Sequence, residues 1–142
     1  MVYLDTSYLV PLVLPDPMSA SIERFLHTLP AGSLSVSQWS RVEFMSLLGH
    51  QIRAKELNSH HASQAISMFE QILNDSCQVI TPDNKDLKLA TEILHEYYDG
   101  LNASEALHLA VAQNNHAELF LTLNKQLINA AKSYRLPTTW GI

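Results

Sequence analysis

Asp5, Thr6 and Ser7 follow directly on the apolar triplet Val2-Tyr3-Leu4. The triplet reads as a short buried strand, so Asp5 stands where that strand ends. In open α/β sheets, ligands bind in the crevice beyond the carboxyl ends of the strands. A carboxylate delivered there, beside two hydroxyls, is well placed to hold a hard cation. Asp and Thr are also common helix-capping residues. The segment by itself leaves both readings open.

Three further polar positions stand in similarly apolar company. Glu43 lies in Trp39-x-x-Val42-Glu43-x-x-x-Leu47, where counting by four puts it between Trp39 and Leu47 on a face that reads as buried. A buried carboxylate needs a proton, a partner or a metal. Ser40-x-x-Glu43 also matches a capping box, but the helical pattern begins near Ser37, which puts Glu43 beyond the first turn and favours a functional role. Glu105 opens a helix three residues after Asn102, a capping pair that suits the helix dipole. In that context alone it reads as a helix-start residue. Asn124 ends the apolar run Leu119-Phe120-Leu121-Thr122-Leu123, and Asn is an ordinary residue for a loop after a strand.

The elements that must position these groups are legible as alternation. Strands are expected at 2–5, 34–36, 78–80 and 119–121, with a short last one near 138–140. Helices are expected at about 18–29, 38–54, 60–74, 83–98, 104–114 and 125–134. Over 83–98, Leu87, Ala90, Ile93, Leu94 and Tyr97 recur at three- and four-residue steps and form one apolar stripe. Strands alternating with helices imply right-handed crossovers and a mainly parallel sheet covered on both faces. The fold class is α/β, and 142 residues suit one domain with a substantial core.

Composition narrows the chemistry. Hydrophobic residues make up 46% and charged residues 16%, which marks a globular rather than a disordered chain. A net charge of −5 gives no global pull toward nucleic acid, so phosphate contacts must come from local Lys and Arg such as Arg41, Arg53, Lys55 and Lys125. Each of these is equally an ordinary surface charge. Cys77 is the only cysteine; neither an internal disulfide nor a thiolate zinc site is expected, and a reducing, cytoplasmic setting fits. The apolar run Tyr8–Leu14 is broken by Pro11 and too short to cross a membrane, and the first residues lack the pattern of a signal peptide. The seven histidines form no metal-binding helix motif, and His108 is expected to pack or hydrogen-bond within its own helix. No phosphate-cradling glycine loop or serine nucleophile elbow occurs. Phe44, Met45, Met68 and Phe69 read as core or partner-contact residues.

Taken together, four segments resemble the PIN domain family and, within it, the VapC-like toxins of bacterial toxin–antitoxin pairs. Val2-Tyr3-Leu4-Asp5-Thr6-Ser7 is similar to the family's opening motif and Arg41-Val42-Glu43 to the second. Gly100-Leu101-Asn102-Ala103-Ser104-Glu105-Ala106-Leu107-His108-Leu109-Ala110 resembles the third, and Thr122-Leu123-Asn124-Lys125 the fourth. The order and spacing carry the likeness nearly end to end, over one domain at residues 1–142. Three positions depart from the family pattern: Glu105 and Asn124 stand where Asp is usual, and Asn102 where an arginine is common.

The resemblance implies a single-domain α/β/α sandwich and an Mg²⁺- or Mn²⁺-dependent endoribonuclease acting as a toxin. Mg²⁺ takes oxygen ligands, usually one or two carboxylates with several waters, and neighbouring carboxylates repel one another in its absence. Under this resemblance Asp5 is the principal metal ligand and Glu43 a direct or water-mediated one. Glu105 holds a further water or a second ion, and Asn124 a bound water. Thr6 and Thr122 are supporting hydrogen-bonding groups. The expected partners are an RNA substrate, a small antitoxin that covers the acidic pocket, and a second copy in a homodimer, with helices 38–54 and 60–74 as a candidate antitoxin groove. The departures at Glu105 and Asn124 motivate the competing expectation, a catalytically weakened domain that serves as an RNA-binding or protein-interaction module.

Overall fold

β1 (Val2–Leu4) begins the chain and yet occupies the centre of the sheet. The computed structural model describes all 142 residues. β2 (Leu34–Ser37) and β3 (Gln78–Ile80) add successively on one side of β1, and β4 (Leu119–Leu121) and β5 (Thr138–Thr139) on the other, in the order β3-β2-β1-β4-β5. Every pairing is parallel, so the expected mainly parallel sheet is wholly so. In register, Tyr3 faces Ser35 and Phe120, and Leu4 faces Leu121.

The strand order reverses direction between β1 and β4. That is the switch point at which open α/β sheets leave a crevice beyond the strand ends. Asp5 and Thr122 each follow directly on one of these two strands.

Seven helices cover the two faces. α1 (Thr6–Leu9) and a 3₁₀ turn (Val10–Leu12) follow β1, then α2 (Ser19–Leu26), α3 (Trp39–Arg53) and α4 (Ser59–Ser76). α5 (Asn84–Glu96), α6 (Ala103–Asn114) and α7 (Lys125–Ser133) complete the set. α1 and the 3₁₀ turn were not expected from the sequence. Each is too short to show a helical period, and Pro11 sits in the first turn of the 3₁₀ segment, where its missing N–H costs nothing.

Four helices, α4 to α7, begin on N-cap side chains that satisfy free backbone N–H groups. Asn58 accepts from the His61 amide at the start of α4. Asp83 and Asp86 form a reciprocal capping box on α5. Asp86, although buried, is also paired with the Asn114 amide at 2.8 Å.

Alternation along the strands divides the core in two. Tyr3 and Phe120 face α5, α6 and α7 in one cluster; Val2, Leu4, Val36 and Leu121 face α1 to α4 in the other. Phe44 and Phe69 stack at a centroid distance of 4.2 Å, joining α3 to α4. Met45 and Met68 instead face solvent. On α5 the expected stripe is displaced: Ala90 and Ile93 are buried, Leu94 and Tyr97 half-buried, and Leu87 exposed. Leu87 and Val42 both line an apolar groove between α3 and α5.

Candidate active site

Asp5 ends β1 and serves as the N-cap position of α1, yet its side chain makes no capping bond. The carboxylate turns toward β4 instead. Ser7 Oγ donates to its Oδ1 at 2.5 Å and Thr122 Oγ1 to its Oδ2 at 2.8 Å. Both hydroxyls are themselves fixed, because Ser7 accepts from the Leu123 amide and Thr122 from the Asn124 amide. Asp5 is buried, and none of the four ion pairs in the protein reaches it. Burial pushes its carboxyl above the usual carboxylate range. The charge of His108 and the two hydroxyls pull it back, and the negative charge of Glu43 adds to the rise.

Glu43 stands on α3 opposite His108 of α6. Its Oε1 accepts from Thr6 Oγ1 at 2.6 Å and pairs with His108 Nε2. The imidazole nitrogen facing a carboxylate carries a proton, and Nδ1 lies 2.8 Å from the Tyr3 hydroxyl. Burial by itself would raise the Glu43 carboxyl. The hydrogen bond and charge of His108, with Thr6 and Ser104, overcome that and hold it below its ordinary value. Glu43 is half-buried, and the fully buried face of α3 is the adjacent one, Ser40, Phe44 and Leu48. The count by four therefore gave the right helix and a face one residue off. Ser40 lies inside α3 and makes no cap with Glu43; its Oγ is 2.9 Å from Thr6 Oγ1.

Glu105 caps its own helix, as its local context suggests. Its Oε2 accepts from the Asn102 amide at 2.8 Å while Asn102 Oδ1 accepts from the Glu105 amide at 2.9 Å. Its other oxygen meets Asn124, whose Nδ2 donates to Oε1 at 2.6 Å. Asn124 in turn is the N-cap of α7, its Oδ1 accepting from the amides of Gln126 and Leu127. Two N–H donors fill that oxygen, so it has no lone pair for the water that the resemblance assigns to it.

The expected convergence of Asp5, Glu43 and Glu105 on one point therefore differs from what is seen. No group of three or more His, Cys, Asp and Glu side chains is gathered closely enough to hold a metal ion. Each carboxylate has taken the nearest protein donors, as buried acids must. The donor chemistry of Asp5 and Glu43 still fits a hard cation. They are two mutually repelling carboxylates without a Lys or Arg partner, and Mg²⁺ needs only one or two carboxylates beside its waters. Thr6 and Thr122 are both buried and bonded to these acids.

His108 is the residue that sequence reasoning missed. It was expected to bond within α6 but links Tyr3 on β1, Thr6 on α1 and Glu43 on α3. The available signal was its isolation: it is the one polar residue in the buried run from Ala106 to Ala112. Arg41 is equally committed, forming a two-pronged ion pair with Glu70 on α4 and bonding Gln38.

The family model described as PIN domain matches residues 2–133. No curated protein matches the chain. Among solved structures, FitAcB from Neisseria gonorrhoeae superposes with a TM-score of 0.71 at 15% identity, covering 99% of this chain and 98% of its own. Mycobacterium tuberculosis VapC20, described as a sarcin–ricin loop cleaving toxin, gives 0.69 at 15% identity over 92% and 95%. VapBC-1 from nontypeable Haemophilus influenzae gives 0.67 at 18% identity over 98% and 97%. At such identities the likeness is one of fold.

Proposed function

The chain belongs to the PIN domain family, and from that premise we propose that it is a metal-dependent endoribonuclease acting as the toxin of a toxin–antitoxin pair. The observation that carries this reading is Asp5: a buried carboxylate at the sheet's switch point, clasped by two oriented hydroxyls and joined in no ion pair. A structural carboxylate in such a place is normally paired. A toxin–antitoxin complex from Klebsiella pneumoniae and VapBC-1, both similar in fold, support the same reading.

Mg²⁺ or Mn²⁺ held by Asp5, with Glu43 beside it, would lower the pKa of a water and offset charge on the leaving oxygen of a phosphodiester. The chain's residues prepare that arrangement. Ser7 and Thr122 fix the plane of the Asp5 carboxylate, so little reorganisation is needed when a ligand arrives. His108 keeps Glu43 ionised and, with Thr6, sets its orientation. Glu105 holds the start of α6 in place, and Asn124 positions Glu105 rather than binding water or metal itself.

We extend the proposal to the partners: an RNA substrate, a small antitoxin and a second copy of this chain, in the cytoplasm. Val42, Met45 and Ile52 on α3 and Met68 on α4 are exposed apolar side chains consistent with protein contacts. No helix is long and apolar enough to cross a membrane.

The test is RNA cleavage by purified protein with and without divalent metal, with Asp5→Ala as control. Cutting that survives both metal removal and Asp5→Ala would sink the reading. One observation favours the weakened-module alternative, the commitment of Glu105 and Asn124 to each other and to two helix caps. Calorimetric titration with Mn²⁺ separates the two, since a module without a working site gives no saturable binding at millimolar metal.

A further inference from the structure

The last strand of the chain ends beside the candidate active site. In the β4–β5 pair Phe120 stands opposite Thr138 and Leu121 opposite Thr139. The next residue on each strand is Thr122 and Trp140. Each lies one residue beyond the last paired positions of the two adjacent strands. Thr122 is the residue whose hydroxyl holds Asp5 Oδ2.

The Trp140 backbone is held on both sides. Tyr8 Oη donates to its carbonyl at 2.6 Å, and Tyr8 belongs to α1, the helix that begins after Asp5. The Gly141 amide donates to Thr139 Oγ1 at 3.1 Å. Gly141 has φ +73°, and a Cβ there would lie 2.5 Å from the Phe25 ring and the Tyr8 hydroxyl, so only glycine fits. The indole, by contrast, packs against neither core cluster and is 42% exposed. Single exposed apolar residues are common. This one differs in being a large flat ring on a fixed backbone, one strand away from the group that orients Asp5.

The geometry points to Trp140 as a stacking platform for a base of single-stranded RNA, which positions the chain for cutting at Asp5. This inference rests on the ribonuclease reading above. It also answers a difficulty in that reading: at a net charge of −5 the protein gains little from general attraction to phosphates. Base stacking on an aromatic face is independent of net charge and tolerant of sequence.

The test uses the full chain in EDTA, so that RNA is bound without metal, and a short end-labelled oligouridylate as probe. Trp140→Ala should weaken binding roughly 5- to 150-fold, the range expected for loss of one stacked base. Trp140→Phe should retain most of the affinity. Trp39, the other tryptophan, is anchored through its Nε1–H to Ser104 at 2.9 Å. Saturable quenching of intrinsic fluorescence by RNA should therefore be present in the native chain and absent from Trp140→Phe. With Mn²⁺ added, Trp140→Ala should raise KM and leave kcat largely intact.

Unchanged RNA affinity in Trp140→Ala, or an equal loss in Trp140→Phe, would overturn the stacking role while leaving metal-dependent cleavage standing. A change in self-association with no change in RNA affinity would assign the indole to a protein contact and likewise overturn it. If the native chain neither binds the oligouridylate nor cleaves RNA with Mn²⁺, the ribonuclease reading fails and the role of Trp140 fails with it.

Discussion

Asn124 donates its side-chain N–H to Glu105 at 2.6 Å while its oxygen caps α7, so two of the three positions that depart from the family pattern are bonded to each other. Those two departures form a pair. With an amide at 124, the longer carboxylate at 105 finds a donor; with an Asp there, it would meet a like charge.

Asn124→Asp should therefore keep the cap, since Asp caps as well as Asn, but set two carboxylates against each other. Two like charges about 4 Å apart cost about 1 kcal/mol in water-like surroundings. Urea denaturation in EDTA should show a loss of that order, and added Mn²⁺ should raise the melting temperature of the variant more than that of the native chain. Equal stability in EDTA would mean that Glu105 and Asn124 are not coupled.

Glu105→Gln tests the same pair from the other side. The amide retains an oxygen for Asn124 or for the Asn102 backbone but loses the charge that strengthens both bonds and suits the start of α6. A stability loss of about 1 kcal/mol is expected, with reduced RNA cleavage. Glu105→Asp should retain cleavage or raise it. Equal cleavage by all three proteins would confine Glu105 to capping.

Asp5→Asn should separate stability from function. Because burial raises the Asp5 carboxyl above its unfolded value of 3.8, this group favours folding below pH 3.8, and the contribution is lost as pH rises through the folded value. Glu43 works in the opposite sense: held below 4.5, it stabilises the fold above that pH, and the benefit is lost as pH falls through its folded value. Thermal melts in EDTA should show Asp5→Asn gaining on the native chain as pH rises from the acid side toward neutral, while Mn²⁺ binding and RNA cleavage disappear. A variant that melts lower than the native protein at every pH would contradict the assignment of Asp5 as an unpaired buried charge.

His108→Ala should be costly well beyond its volume. It leaves the buried Tyr3 hydroxyl without the partner it has at 2.8 Å and removes the imidazole from Glu43. Each stranded buried group costs about 1–3 kcal/mol, and without its imidazole partner the Glu43 carboxyl should titrate higher, weakening Mn²⁺ binding at mildly acidic pH. Tyr3→Phe in the same background should recover part of the stability. Additive losses in the double variant would show that the two residues are not linked.

All five strands and the six longer helices could be read from the sequence, because apolar triplets and three-to-four spacing report burial directly. α1 could not, since four residues carry no period. Asp5 was legible because a strand and its terminal acid are contiguous in the chain. The Glu43–His108 contact was not, because it joins residues 65 apart and a lone histidine in an apolar helix gives no hint of its partner. Glu105 was recognisable as a helix-start residue and Asn124 only as a loop residue after a strand; their bond to each other depends on two helices meeting above the sheet, which no local pattern encodes.

The central place of β1 has a temporal consequence. Asp5 is made well before the hydroxyl that orients it, which belongs to a residue 117 positions later, on a strand that must insert beside β1. At about 5–20 residues per second, that interval lasts roughly 6 to 23 seconds on the ribosome. A nascent chain thus carries the acid without its setting throughout that interval. If the protein is a ribonuclease toxin, its site cannot assemble on the RNA machine that makes it until β4 has emerged and paired with β1.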